Sequence, residues 1–410
     1  MQRREFLQST MAAAAAFSAM SSTAVAQGQA LKLKITDIKV KKIRLVRELG
    51  SVPQRSGLPP TRPTVGGGTF VEISTDGGIT GYGPGVPPGT LARAKELLIG
   101  KDPFLISDHA YNLYNPGLGG ANVEIALWDV IGKALNMPLW KVWGGQHDAL
   151  MPYASQHSVG TPEERAHMAQ RVFHDGWRAI KFRNHFPTLR EDVALIEATR
   201  KVMGPDFHIM CDANQAGNFP DGWGGGNVRW DLTRALQCAK EYDRLGVFWL
   251  EEPLPRWSFE ELARITSSVP MLTAGGEGSR GLHEYRWMLE QQALDVMQFE
   301  VTLIGPTIAR QLSQLAAARD KYCVGHVSEG FGTLCSGHLA ASFSNSPRLN
   351  DNYPSGPTWE IFYEPPVADI FAMWEIYEQA PTIDKATGLM RLPDAPGLGV
   401  TIKKDLILDA

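Results

Sequence analysis

Cysteine is scarce in this chain. Four occur in 410 residues, Cys211, Cys238, Cys323 and Cys335, and none forms a CxxC pair. So few in so long a chain exclude a disulfide framework, and they are expected as small buried hydrophobes. Excess positive charge is also missing. The formal net charge is −4 and no long basic run occurs, so the electrostatic footprint of a nucleic-acid binder is absent. Long apolar runs are missing as well. The longest, near the N-terminus, is too short for a comfortable membrane span, and no other segment approaches the roughly 18 apolar residues that a spanning helix needs. The rest is ordinary for a soluble globular protein: 43% apolar and 20% charged residues. The length suggests two domains, and 41 glycines suit a fold with many tight turns.

Residues 1–26 are expected to stand apart from the fold. Arg3-Arg4-Glu5-Phe6-Leu7-Gln8 carries a twin-arginine pattern, an Ala-rich apolar stretch runs from Met11 to Met20, and Ala24-Val25-Ala26 reads as a small-x-small cleavage site. This is the pattern of a Tat-type signal peptide. It predicts a soluble, periplasmic mature protein with no membrane segment.

Alternating apolar and charged residues over 31–48 predict a half-exposed antiparallel strand. Thr69 to Ser74, the turn Thr75-Asp76-Gly77-Gly78 and the returning Ile79 to Tyr82 predict a hairpin. Between them Gln54 to Gly68 is rich in Pro and Gly and is expected as a functional loop over the site. Residues 90–150 read as helical. The clearest segment, Ala121 to Leu135, has Ala126, Leu127, Val130, Ile131 and Ala134 on one apolar face. Thr161 with Pro162 reads as a helix start, and Asp192 and Asp231 as caps or first-turn residues. Residues 31–150 therefore form an α+β domain. A strand–helix rhythm fills 151–385, and 386–410 is expected to return to the N-terminal domain as strand and turn.

Within that rhythm, polar titratable residues close one apolar run after another. Lys181 ends WRAIK, with Arg183 two residues on. Asp212 follows HIMC, Glu251 follows GVFWL, Glu277 follows PMLTAGG, Glu300 follows ALDVMQF and His326 follows YCVG. From Lys181 the steps are 31, 39, 26, 23 and 26 residues, the scale of a βαβ unit. A charge at the end of a buried strand is costly unless a partner compensates it. Asp212, Glu251 and Glu277, one strand–helix unit apart, point to a divalent cation at the C-terminal mouth of a parallel barrel. Alternation turns Cys211 away from that mouth and sends Glu252 to the opposite face, towards a neighbouring cation.

These residues resemble the enolase superfamily, and within it the mandelate racemase/muconate lactonizing enzyme-like group. ANVEIALWDVIGKALNMPLWKVWGG (121–145) is similar to the segment joining cap to barrel. DAN (212–214), LEEP (250–253) and GGE (275–277) match the three metal-ligand strands. Gly325-His326, followed by Gly337-His338-Leu339-Ala340-Ala341, matches the strand of the catalytic histidine. The resemblance covers almost the whole mature chain. It implies an α/β fold, a modified (β/α)7β TIM-like barrel under an α+β capping domain, and a homo-oligomer. It also implies Mg²⁺ on Asp212, Glu251 and Glu277, and abstraction of the proton α to a carboxylate to give an enediolate. The superfamily pairs Mg²⁺, which stabilises the enediolate, with a Lys or His base.

By the same resemblance His326 is the general base, hydrogen-bonded by Glu300 where the family more often carries Asp. Lys181 matches the first lysine of a Lys-x-Lys motif and would neutralise the substrate carboxylate. Arg183 stands where a second lysine often serves as base; it is effectively always protonated and a poor base. Glu360, in PTWE, matches a donor to the substrate carboxylate and would need a raised pKa. Asn214 and His185 are candidate substrate-binding residues. With one competent base, the expected reaction is dehydration of a hydroxylated carboxylate, an acid sugar, to a 2-keto-3-deoxy acid. A racemase or epimerase of a 2-hydroxy acid and a non-catalytic, exported sugar-acid-binding protein are the alternatives. Specificity is expected from Gln54 to Gly68 and from the Gly-rich insertion at 217–230.

Overall fold

Eight short parallel strands carry the site. They are β6 (Ala149–Ser155), β7 (Ala179–Arg183), β8 (His208–Asp212), β9 (Trp249–Glu251), β10 (Leu272–Gly275), β11 (Val296–Phe299), β12 (Tyr322–Gly325) and β13 (Thr358–Phe362). In this computed structural model the described residues are 32–52, 60–114, 118–145, 147–158, 160–184, 186–217, 228–326, 328, 330–349 and 356–409. Lys34–Ala410 forms one compact unit, and everything below lies within it. The signal-peptide segment, Gln54 to Pro59, His185 and most of the 217–230 insertion lie outside the described residues.

The strands pair in sequence order from β6 to β12, and β13 pairs with β6 on the other side. β12 and β13, the two ends of this path, touch each other. Among the described residues seven helices connect the eight strands: Pro162–His174, Leu189–Met203, Leu232–Arg244, Phe259–Thr266, Leu282–Glu290, Val301–Ala317 and Phe331–Ser342. Their starts follow local chemistry. Thr161 and Glu164 form a capping box, as do Thr188 and Glu191, and Asp231 caps Leu232–Arg244. Asp192 lies in a first turn and accepts from the Phe186 amide at 3.0 Å.

The period of two sorts the barrel side chains. Met151, Tyr153, Ala179, Met210, Trp249, Ala274, Val296 and Val324 pack together in one cluster. Their chain neighbours Leu150, Ile180, Ile209, Leu250, Met297 and Cys323 pack with the helices in another. Cys211 belongs to the helix-facing cluster, as alternation predicts. All four cysteines are free and buried.

The N-terminal sheet is antiparallel, with β1 (Ile35–Ile43), β4 (Thr69–Thr75) and β5 (Thr80–Pro84) at its centre. The predicted hairpin is the β4–β5 pair. The first strand is shorter than its alternating pattern, and Arg47–Glu48 (β2) pairs instead with Thr64–Val65 (β3), inside the Pro/Gly-rich segment. Near the C-terminus Met390–Arg391 (β14) pairs with β6, and Ile407–Asp409 (β15) pairs with β1.

Helix Gly120–Ala134 has two apolar faces rather than the single one expected. Val123, Ala126, Leu127 and Val130 pack in the core of the N-terminal sheet, while Ile125, Trp128 and Ile131 join the barrel core. The helix lies between the two layers, so almost its whole circumference is buried. Gly81 permits the approach, because a Cβ there would sit 2.3 Å from the Ala126 carbonyl. Buried Asp129 ties the layers, accepting from the amides of Tyr82 at 2.8 Å and Leu398 at 2.7 Å. Among the described residues no helix is long and apolar enough to cross a membrane.

Candidate active site

The apolar interior of the barrel ends where the next residue in register becomes polar. Two positions beyond Ala179, Met210 and Trp249 stand Lys181, Asp212 and Glu251, on β7, β8 and β9. Arg183, Asp212 and Glu251 are direct register partners across these strands. Glu277 lies just past β10, Glu300 and His326 follow β11 and β12 immediately, and Glu360 sits within β13. The structure thus brings together nine of the ten residues singled out in the sequence, His185 lying outside the described part. Asp212, Glu251 and Glu277 are 3%, 0% and 6% exposed.

Lys181 is the hub of one half. Its Nζ lies 2.7 Å from Glu251 Oε1 and 2.6 Å from Glu360 Oε1. Burial opposes its charge, but Glu251 and Glu360 hold it above the usual lysine range. Trp249 Nε1 donates to Glu251 Oε2 at 3.2 Å, and the Tyr153 hydroxyl donates to Glu360 Oε2 at 2.9 Å. Burial pushes Glu251 up to about 8 despite Lys181. Asp212 is also raised by burial, which Lys181 and Arg183 only partly offset. Its carboxylate accepts from the Asn214 amide at 2.8 Å and from the Asn214 side chain. Asn214, with φ +46°, therefore orients Asp212.

His326 is the hub of the other half. Its Nε2 lies 2.9 Å from Glu277 Oε2, and its Nδ1 lies 3.1 Å from Glu300 Oε2. Burial disfavours the imidazolium, but Glu277 and Glu300 outweigh it and hold His326 well above the ordinary imidazole range. His326 in turn brings Glu277 down to about 2 against the effect of burial.

Three expectations need correction. Glu360 is depressed rather than raised: burial favours its neutral form, but Lys181 and then His326 keep it ionised. As placed it is an acceptor and cannot donate to a carboxylate. Glu252 does not pair with a cation by hydrogen bond. It is 3% exposed with φ +46°, both its oxygens lack hydrogen-bond partners among the described residues, and Arg256 is the nearby cation that partly offsets the effect of burial on its carboxyl. The segment Gly337 to Ala341 belongs to helix Phe331–Ser342, not to a strand. His338 there is a packing residue, bridging the Trp140 amide and the Leu398 carbonyl at 3.2 Å each.

Sequence reading missed several neighbours. Tyr153 and His157 fall on the alternation of MPYASQH, at the end of β6, and that shared period was the available signal. The His157 ring stacks on Phe362, with centroids 4.3 Å apart. Burial, with Arg183 and Lys181 nearby, holds it well below the usual imidazole range. Thr302 and Ser328, each two residues beyond a predicted site residue, both donate to Glu300.

The donor chemistry fits a hard divalent cation. Asp212, Glu251, Glu277, Glu300 and Glu360 gather at this mouth with Lys181, Arg183 and His326, and three of the acids end adjacent strands with oxygen donors of the kind Mg²⁺ takes. As the side chains are placed, no group of three or more His, Cys, Asp or Glu among the described residues is arranged to hold a metal ion. Glu251 and Glu277 are instead engaged by Lys181 and His326.

Comparison with known proteins matches this architecture. Residues 164–406 match the family described as Enolase C-terminal domain-like, and residues 62–144 match Mandelate racemase / muconate lactonizing enzyme, N-terminal domain. D-xylonate dehydratase of Haloferax volcanii is 26% identical over 379 residues, covering 82% of this chain and 84% of that protein. D-galactarolactone cycloisomerase of Agrobacterium fabrum is 26% identical over 362 residues, covering 83% and 90%. The crystal structure of L-talarate dehydratase from Polaromonas sp. JS666, complexed with Mg and L-glucarate, superposes with a TM-score of 0.72 at 23% identity, covering 92% of this chain and 96% of that one. At that identity the structural likeness speaks for the fold alone. A capping domain, a barrel of eight strands and family matches across both make this chain a member of the enolase superfamily, in its mandelate racemase/muconate lactonizing enzyme-like group.

Proposed function

We propose that this chain is a Mg²⁺-dependent hydro-lyase that dehydrates an acid sugar to a 2-keto-3-deoxy acid. The observation that carries the reading is the His326–Glu300 pair, facing a strand whose second cation is Arg183 rather than a lysine. One imidazole can give and take a proton; a guanidinium cannot. Members of this superfamily need Mg²⁺. Asp212, Glu251 and Glu277 would hold it, with Glu251 and Glu277 giving up Lys181 and His326 as partners. When bound, the ion stabilises the charge that builds on the substrate carboxylate as the α-proton leaves.

The chain's own residues then divide the work. His326 Nε2 takes the C2 proton, and Glu300 on Nδ1 stabilises the imidazolium that forms. Lys181 and Arg183 offset the anionic substrate. The C3–O bond breaks, the hydroxyl leaves as water with the proton returned by His326, and the enol tautomerises to the 2-keto acid. General acid–base help of this kind contributes roughly 10²–10⁴-fold.

The relatives named above include a dehydratase of a sugar acid and a cycloisomerase of a sugar lactone. The test is proton NMR of the mature protein with Mg²⁺ in D₂O, against D-xylonate, L-talarate, D-glucarate and galactarate. Loss of the C2 proton with growth of a 2-keto-3-deoxy product supports dehydration. Exchange at C2 without a new product favours epimerisation, for which His157 at the end of β6 is the candidate second base. Tight binding with no exchange would leave a sugar-acid-binding protein. A His326→Asn variant with full activity would remove the mechanism.

A further inference from the structure

Glu300 stands where a shorter acid is usual, and its extra methylene adds a rotatable bond between backbone and carboxylate. The structure absorbs that freedom on one oxygen. Glu300 Oε1 accepts from the Thr302 amide at 2.9 Å, from the Thr302 hydroxyl at 2.7 Å and from the Ser328 hydroxyl. Oε2 is left for His326 Nδ1 at 3.1 Å. The backbone ties the same two strand ends, with the His326 amide donating to the Phe299 carbonyl at 2.7 Å.

The hydroxyls are themselves held. The Thr333 hydroxyl donates to the Ser328 carbonyl, which ties Ser328 to helix Phe331–Ser342. Gly332 leaves room for both clamp residues, since a Cβ there would lie 2.8 Å from Ser328 Cβ and 2.9 Å from Thr302 Cγ2. The pattern is Glu300-x-Thr302 and His326-x-Ser328, so each member of the dyad is followed two residues later by a hydroxyl that points back at the carboxylate.

We propose that Thr302 and Ser328 are positioning residues. They lock the Glu300 carboxylate by Oε1 so that Oε2 holds the His326 ring with Nε2 turned to the substrate. This rests on the reading of His326 as the base, and it goes beyond that reading by assigning the groups that let a glutamate serve in the dyad. Outer partners that orient metal ligands are worth about 10–100-fold, and an effect of that order is expected for partners that orient a base.

The first test needs no substrate. In the Mg²⁺-loaded protein, proton and nitrogen NMR of the His326 ring should show a hydrogen-bonded Nδ1–H signal protected from exchange, identified by its loss in His326→Asn. The signal should persist in Thr302→Ser, which keeps the hydroxyl, and should broaden or vanish in Thr302→Val/Ser328→Ala. An unchanged signal in a folded double variant overturns the proposal. The second test uses whichever acid of the panel exchanges its C2 proton. Thr302→Val should then lower kcat about 10-fold or more with KM within about 3-fold, and Thr302→Ser should restore it. If Thr302→Val and Ser328→Ala both keep full kcat while His326→Asn is inactive, the clamp is wrong and the base assignment stands. If His326→Asn is fully active, the base assignment fails, and the ring signal alone then judges the clamp.

Discussion

Lys181 compensates two buried carboxylates at once, Glu251 at 2.7 Å and Glu360 at 2.6 Å, with almost no solvent on any of the three side chains. Removing one partner of a buried ionic group leaves the others uncompensated, at a cost of about 3–5 kcal/mol. Lys181→Met should therefore unfold at markedly lower denaturant or temperature than the wild type, as well as losing C2 exchange. A variant of unchanged stability would mean that the two acids rearrange or protonate without penalty. Asp212 gives a separate handle on the ion. If Asp212, Glu251 and Glu277 bind Mg²⁺, the ion at 100 times its dissociation constant should stabilise the fold by about 2.7 kcal/mol, through mass action alone. Thermal unfolding with and without Mg²⁺ should show this rise in the wild type and not in Asp212→Asn. An equal rise in both proteins would place the ion elsewhere.

Between elements, some buried polar links join distant parts of the chain. His338, in helix Phe331–Ser342, accepts from the Trp140 amide on Nδ1 and reaches the Leu398 carbonyl through Nε2. Only the neutral ring with its proton on Nε2 satisfies both. Burial, partly offset by the Leu398 carbonyl, pushes its pKa down to about 4. The unfolded chain takes up this proton near pH 6.5, before the folded one does, so the stability His338 confers is fully present above that pH. It is lost as pH falls towards about 4, to a total of roughly 3 kcal/mol at most. Unfolding midpoints measured between pH 7 and pH 4.5 should fall more steeply for the wild type than for His338→Gln. Equal slopes would mean that the ring is already protonated in the fold.

For the whole molecule, the proposal of export rests on residues 1–26 alone. Replacing Arg3 and Arg4 by Lys should leave the protein in the cytoplasm with its N-terminal segment attached, while the native sequence should yield a periplasmic protein cleaved after Ala26. Cell fractionation with N-terminal sequencing reads both. Periplasmic recovery of the Lys-Lys protein would exclude the twin-arginine route.

The sequence by itself determined the barrel rhythm and most of the site. A period of two in each strand, repeated at the length of a strand–helix unit, puts Lys181, Asp212, Glu251 and His326 at one end of the sheet whatever the details of packing. Capping chemistry at Thr161 and Asp231 was legible for the same reason, since it is local. Tertiary structure decided what depends on neighbours distant in the chain. Glu360 is ionised because Lys181, from another strand, reaches it. Helix Gly120–Ala134 has two apolar faces because it lies between two cores, and a pattern of one face cannot announce the second. Thr302 and Ser328 carry no signal of their own as single residues, and His157 only the alternation it shares with Tyr153. Their place follows from which hydroxyl or ring a strand end brings to a carboxylate or an aromatic face, and only the folded chain fixes that.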